Sequence, residues 1–282
     1  MAQFESVIRW MQSKENIEIV FAHQVKDLAR ENIVYAELRF APAYHMRNGL
    51  SIDQVIQAAL KGINNGLEEE NERWNCPNID VRLILCINRE CDSNLSKCIA
   101  QEAVRFSKFS GVVGIDLACN EALYPPELHE EAFAETFGTR VRRTVHAGEF
   151  GANRMKNIET ALTILRADRI SHAIGLVGNS DLMRLCREHR VGIESCPVSN
   201  VICGNVSSIK ALSLDVFEEE GVFFNINSDD PALFQTSLSE TLFQTTQAYN
   251  WSLEDLRRMM RDAMEMAFVS HGEKLAILNK HF

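Results

Sequence analysis

The sequence predicts an α/β fold, a (β/α)8 TIM-type barrel in which seven of the eight βα units can be found. Three observations carry this reading. Apolar runs of strand length recur along the 282 residues and alternate with segments whose apolar residues fall at helical spacing. The runs are nearly continuous, as expected of parallel strands covered on both faces. Several of them end abruptly in His, Asp or Glu, as happens where the carboxyl ends of strands form one rim that carries chemistry.

Taken in order, Ser13 caps a helix in which Ile17, Val20, Phe21, Val25 and Leu28 recur at helical spacing. Residues 33–40 form the first strand, which Pro42 ends. Ser51 with Gln54 makes a capping box for a helix with Ile56, Ala59, Leu60, Ile63 and Leu67 on one face. A strand over 81–87, a helix over 95–109 and a strand over 111–118 follow. The run from Val141 ends in His146-Ala147-Gly148-Glu149. Ile158, Ala161, Leu162 and Leu165 then mark a helix, 169–174 a strand, 182–189 a helix and 192–197 a strand. Ile209, Leu212, Val216 and Phe217 mark one more helix before a last strand within 222–231; only helical pattern remains after it, including 252–266. The strands begin at Val34, Val81, Val112, Val141, Arg169, Gly192 and Val222. With no linker, repeat or low-complexity segment, residues 1–282 read as a single domain.

The net charge of −10 argues against a nucleic-acid binder, whose phosphate contacts need clustered Lys and Arg. A neutral or cationic small substrate fits better. The eight cysteines include no Cys-x-x-Cys pair, and several sit in apolar runs where free thiols pack as small hydrophobes. The N-terminus lacks the pattern of a signal peptide, and no apolar run approaches the ~20 residues that cross a bilayer. The expectation is a soluble, cytoplasmic protein with no membrane or nucleic-acid partner.

Three strand ends converge in chemistry. Gly148 permits a sharp turn, so His146 and Glu149 can face one small volume. His172 and the pair Asp229-Asp230 end two further strands on the same rim. Any one of these taken alone could be a packed histidine, a helix-start carboxylate or a turn. Together they supply imidazole and carboxylate donors suited to Zn²⁺, which makes hydroxide available near neutral pH.

At these residues the chain resembles the adenosine deaminase family. The motifs His146-Ala147-Gly148-Glu149, Cys196-Pro197-Val198-Ser199-Asn200 and Ser228-Asp229-Asp230-Pro231 look like its signatures, supported by residues 35–42 and 114–118. The resemblance implies a metal-dependent barrel hydrolase that replaces the 6-amino group of a purine nucleoside with oxygen and releases ammonia. It implies one zinc ion with His146 and Asp229 among its ligands. Glu149 would protonate the purine ring nitrogen, and His172 would orient the attacking hydroxide. Asp230 would hold the imidazole side of the purine. A proton donor to the ring must still be protonated near pH 7, which a carboxyl group in a dry pocket beside other acids can be. Cys119 stands where the family usually has a substrate-binding glycine, so its N–H can still serve while its thiol narrows the pocket. Ser171 and Ala173 likewise replace flanking glycines.

One departure is larger. Family members open with a strand carrying His-x-His, two zinc ligands, and none of the eight histidines here forms that pair. The resemblance therefore implies a barrel domain incomplete at its N-terminus, inactive as written if nothing replaces those ligands. His23 and His45 are read as surface or packing residues. Two classes of function stand: a purine nucleoside deaminase, or a non-catalytic barrel remnant. Within the first, adenine or a methylated adenine nucleotide is the alternative substrate.

Overall fold

The computed structural model describes residues 2–74, 79–109 and 111–281, so Cys76 lies outside the described residues. After the helix α1 (Ala2–Trp10) come α2 (Lys14–Arg30), β1 (Tyr35–Phe40), α3 (Ile52–Trp74), β2 (Asp80–Asn88), α4 (Ser93–Phe106) and β3 (Val112–Ala118). Then follow α5 (Glu130–Ala134), β4 (Arg142–Ala147), α6 (Arg154–Thr163), β5 (Arg169–His172), α7 (Ser180–His189), β6 (Gly192–Ser195), α8 (Pro197–Ile202), α9 (Leu214–Glu219) and β7 (Phe224–Ile226). The chain continues through α10 (Pro231–Phe234), α11 (Leu238–Tyr249), α12 (Leu253–Met266) and α13 (His271–His281).

All seven strands are parallel, and each pairs with the next in sequence order. This is the curled sheet of a TIM-type barrel with helices packed outside it. Among the described residues no ladder joins β1 to β7.

The local signals explain the boundaries. Ser13 accepts from the Asn16 N–H, and Ser51 and Gln54 exchange the two bonds of a capping box. Three strands end earlier than the sequence reading. β5 stops at His172 because His172 and Ala173 take φ of 65° and 50°, which no strand continues. β6 stops at Ser195, since Pro197 opens α8, and Asp229 at φ 59° falls beyond the end of β7.

Alternate strand residues face different surroundings. Leu83, Leu85, Ile87, Ile115, Leu117, Val145, Ile170 and Ile193 are fully buried in the apolar core shared with the helices. The other parity places Glu37, Arg39, Asp116, Arg169 and Glu194 together inside the sheet's curl, where they pair with one another. The apolar runs thus hide a charged interior that periodicity does not announce.

The N-terminal segment packs on the loop after β1. Gln12 Nε2 donates to the Tyr44 carbonyl at 2.8 Å, and its Oε1 accepts from the Arg47 N–H at 3.0 Å. His45 is buried with Nδ1 3.0 Å from the Met11 carbonyl, so its role is packing. The seven described cysteines are free. No helix among the described residues is long and apolar enough to cross a membrane.

α2 packs closely on α3, and glycine makes it possible. A Cβ on Gly66 would lie 2.8 Å from both the Ala22 carbonyl oxygen and Val25 Cβ, and one on Gly62 would strike the Glu18 backbone. Alanine normally gains about 1 kcal/mol over glycine inside a helix, whereas forced overpacking costs about 1–3 kcal/mol. Two backbones cannot yield as a flexible side chain would, so the clash should win. Gly66→Ala is therefore expected to lower unfolding free energy in urea; an unchanged or raised midpoint would show that α2 and α3 can separate freely.

Candidate active site

The carboxyl ends of β4, β5, β6 and β7 build the site. β4 and β5 pair His146 with Ser171 and Ala147 with His172, so the two imidazoles arrive side by side. Their ring centroids are 5.0 Å apart. His146 Nδ1 lies 3.1 Å from Asp116 Oδ1 and 3.0 Å from Oδ2, and His172 Nδ1 lies 3.1 Å from Asn200 Oδ1. With each Nδ1 engaged, Nε2 is the nitrogen left to face the cavity. Holding the far nitrogen in this way is how metal-binding imidazoles are oriented.

The third donor is Asp229, whose Oδ2 accepts from Ser199 Oγ at 2.6 Å. One ligand atom each from His146, His172 and Asp229 lies within 4.8 Å of the others. Two imidazoles and a carboxylate are a donor set that zinc accepts, and three protein ligands are what catalytic zinc sites supply. The residues fit the ion that the sequence resemblance implies. They also add His172 to the two donors read from the sequence.

Glu149 follows Gly148, whose φ of 76° and contact with Ile158 leave no room for a side chain. Glu149 Oε2 is 3.8 Å from His172 Nε2, and Oε1 accepts from Asn205 Nδ2 at 3.0 Å. The turn itself is braced from below. Glu121, 3% exposed, accepts from the Gly148 N–H at 3.0 Å and the Phe150 N–H at 2.7 Å. Arg89, 1% exposed, donates to the His146 carbonyl at 2.5 Å. The sequence signals neither brace beyond an ionisable residue close after a strand, Arg89 following β2 at once and Glu121 three residues past β3.

The remaining sequence candidates sit on the same rim. Cys119 has φ 83°, the left-handed region that favours glycine, and its Sγ is 3.3 Å from Tyr44 Oη. Burial pushes its thiol up to about 11, against the pull of the Tyr44 hydrogen bond, so it stays protonated at neutral pH. Asp230 begins α10 beside Asp229, and burial followed by the Asp229 charge pushes its carboxyl up to about 7. Burial likewise disfavours a charged His146, but Asp116 outweighs it and raises the imidazole to about 9 in the metal-free protein. His23 and His45 lie outside the group of metal donors.

Ser199 and Asn200, on α8, were legible only as parts of a motif. The structure gives them work: one holds Asp229 and the other holds His172. Arg39 and Asp116 fall within supporting motifs and Glu194 within a strand run, and the sequence assigns none of them a role.

A parallel barrel whose strand ends gather two imidazoles, a carboxylate cluster and a glutamate defines a barrel hydrolase. Comparison with known proteins makes the class narrower. The sequence model of the family described as Adenosine deaminase matches residues 1–281. An adenosine deaminase of Mycobacterium ulcerans is 35% identical over 98% of this chain and 78% of its own length. The chain belongs to the adenosine deaminase family: it is a hydrolytic deaminase acting on the C–N bond of a cyclic amidine. Solved structures share the fold. The N6-methyl-AMP deaminase of Arabidopsis thaliana superposes with a TM-score of 0.86 at 24% identity, covering 97% of this chain and 80% of that one. An amidohydrolase from Burkholderia ambifaria with bound Zn gives 0.80 at 24% identity, over 94% and 71%.

The raised Asp230 carboxyl makes the fold's stability depend on pH. Its folded-state value lies above the ordinary 3.8, so between about pH 4 and pH 7 the folded state holds a proton that the unfolded chain has released. This group therefore removes stability as pH rises through that window. Asp230→Asn should be more stable than the parent at pH 8 and no more stable at pH 4, a difference of order 1–3 kcal/mol in denaturant unfolding of metal-free protein. A pH-independent difference would show that the carboxyl is ionised throughout.

Proposed function

We propose that the chain's site performs the zinc-dependent hydrolytic deamination of adenosine, or a related 6-aminopurine nucleoside, to inosine and ammonia. The observation that carries this is the meeting of His146, His172 and Asp229 within 4.8 Å, with Glu149 at 3.8 Å from His172. The 35% identity to an adenosine deaminase and the bound Zn of the amidohydrolase above support the same reading. His146 and Asp229 would hold the ion, with His172 within reach of it. When bound, zinc supplies a Lewis acid that brings the pKa of water to about 7.

The chain's own residues do the rest. Glu149 hands its proton to the purine ring nitrogen beside the carbon under attack, which makes that carbon electrophilic. The Asn205 amide fixes one Glu149 oxygen and leaves the other free for the ring. His172, its Nδ1 pinned by Asn200, directs Nε2 to the nucleophile. Asp230 takes the imidazole side of the purine, and the Cys119 N–H the opposite edge, with the Tyr44–Cys119 contact bounding the pocket.

The test is steady-state deamination at matched zinc content. Glu149→Gln should keep metal and purine binding while turnover falls about 10²–10⁴-fold, the range for losing a general acid. Turnover near the parent's would remove Glu149 from the role. Purine binding without any turnover in the parent chain would favour the non-catalytic reading.

A further inference from the structure

Both histidines at the rim trace back to one side chain on the opposite side of the sheet. Arg39, on β1, sends Nη1 to Asp116 Oδ2 at 3.1 Å and to Ser171 Oγ at 3.1 Å, and Nη2 to Glu194 Oε2 at 2.8 Å. Asp116 is the carboxylate that holds His146 Nδ1. Ser171 is the residue before His172, where the backbone turns into the left-handed region. Glu194 in turn accepts from Thr144 Oγ1 at 2.9 Å and from Ser171 Oγ. Thr144 lies two residues before His146 on β4. One guanidinium therefore reaches each histidine-bearing strand by two routes.

We propose that Arg39 is a positioning residue that sets both imidazoles at once. The inference rests on the reading of His146 and His172 as the working rings of the site. A planar fork with fixed donor directions can satisfy three acceptors on three different strands and so hold their relative positions; an ammonium on a flexible stem cannot. With Asp116 at 0% and Glu194 at 3% side-chain exposure, each carboxylate needs its cation, and the pairing is not readily exchanged for water. Arg39 itself touches no donor of the metal group. It acts through Asp116 on one ring and through Ser171 on the other.

Arg39→Lys preserves the charge and removes the fork. The prediction is a 10–100-fold loss of zinc affinity in chelator competition, the usual effect of removing a partner behind a metal-binding imidazole. In the metal-free full chain, the imidazole signals of His146 and His172 should both move in ¹H–¹⁵N spectra. Two further variants divide the routes: Asp116→Asn should move the His146 signals more than those of His172, and Ser171→Ala the reverse. They also decide the matter if Arg39→Lys fails to fold. Arg82→Lys is the control, because Arg82 pairs with Asp80 at 2.8 Å and Glu273 at 3.2 Å at the other end of the sheet and should leave zinc affinity and both rings unchanged.

Loss of thermal stability in Arg39→Lys with unchanged ring signals and zinc affinity would reduce Arg39 to a structural ion pair and overturn the inference. So would Asp116→Asn and Ser171→Ala each moving the two rings equally, or neither. If the parent chain takes up no zinc, the metal reading of the site fails; the ring signals of the metal-free protein still decide the role of Arg39.

Discussion

Everything at the rim depends on a balance of charge inside the curled sheet. Glu37, Arg39, Asp116, Arg169 and Glu194 are gathered where most barrels place branched apolar side chains. A carboxylate taken out of water is tolerated only when paired and hydrogen-bonded, and removing one partner of a buried pair typically costs about 3–5 kcal/mol. Here the balance is close. Burial disfavours the Glu194 charge, yet Arg39 and Arg169 bring its carboxyl down to about 2. Burial likewise works against the Asp116 carboxylate, but His146 and Arg39 hold it well below the usual range. The interior is thus a fixed ionic lattice that binds four strands of the sheet, and the site is its upper surface.

The lattice continues to the far end of the sheet. Arg169 pairs with Glu37 at 2.5 Å, donates to the Met266 carbonyl at 3.1 Å and lies 3.4 Å beneath the Phe268 ring. Glu37 also accepts from the Phe268 N–H at 2.6 Å. The segment after α12 is therefore tied to the charges in the middle of the sheet, which in turn support the rim. Ionic contacts run the length of the interior, while the apolar core lies between strands and helices.

Which parts of this were legible in the sequence follows from the range of the interactions. His146 with Glu149, and Asp229 with Asp230, could be found because each pair is local and its turn chemistry is written beside it. The strands could be counted because burial against helices imposes apolar runs. Their ends were less legible, since the left-handed turns at His172, Ala173 and Asp229 occur at residues that carry no glycine signal. Partners such as Arg39 and Glu194 are 155 residues apart, and no local pattern joins them. A signal did exist: Asp116 and Glu194 are single charges within apolar strands, and a charge buried there must have a partner somewhere. Ser199 and Asn200 were visible as motif letters, but which side chain each one holds required coordinates.

The contact between Tyr44 and Cys119 carries a mechanical implication. The Tyr44 phenol meets the Cys119 thiol at 3.3 Å, and its carbonyl is fixed by Gln12 just after α1. A single residue thus reaches from the Cys119 turn to the segment after α1, which His45 on Met11 and Arg47 on Gln12 also hold, with the Glu5–Arg47 pair adding a tie on the surface. A surface pair of that kind weakens as ionic strength rises. The bonds of Gln12 and His45 are neutral and buried and do not share that dependence, so the loop after β1 keeps its place on the N-terminal segment when salt loosens the surface pair. Tyr44 thus couples the left-handed turn at Cys119 to the packing of the N-terminal segment.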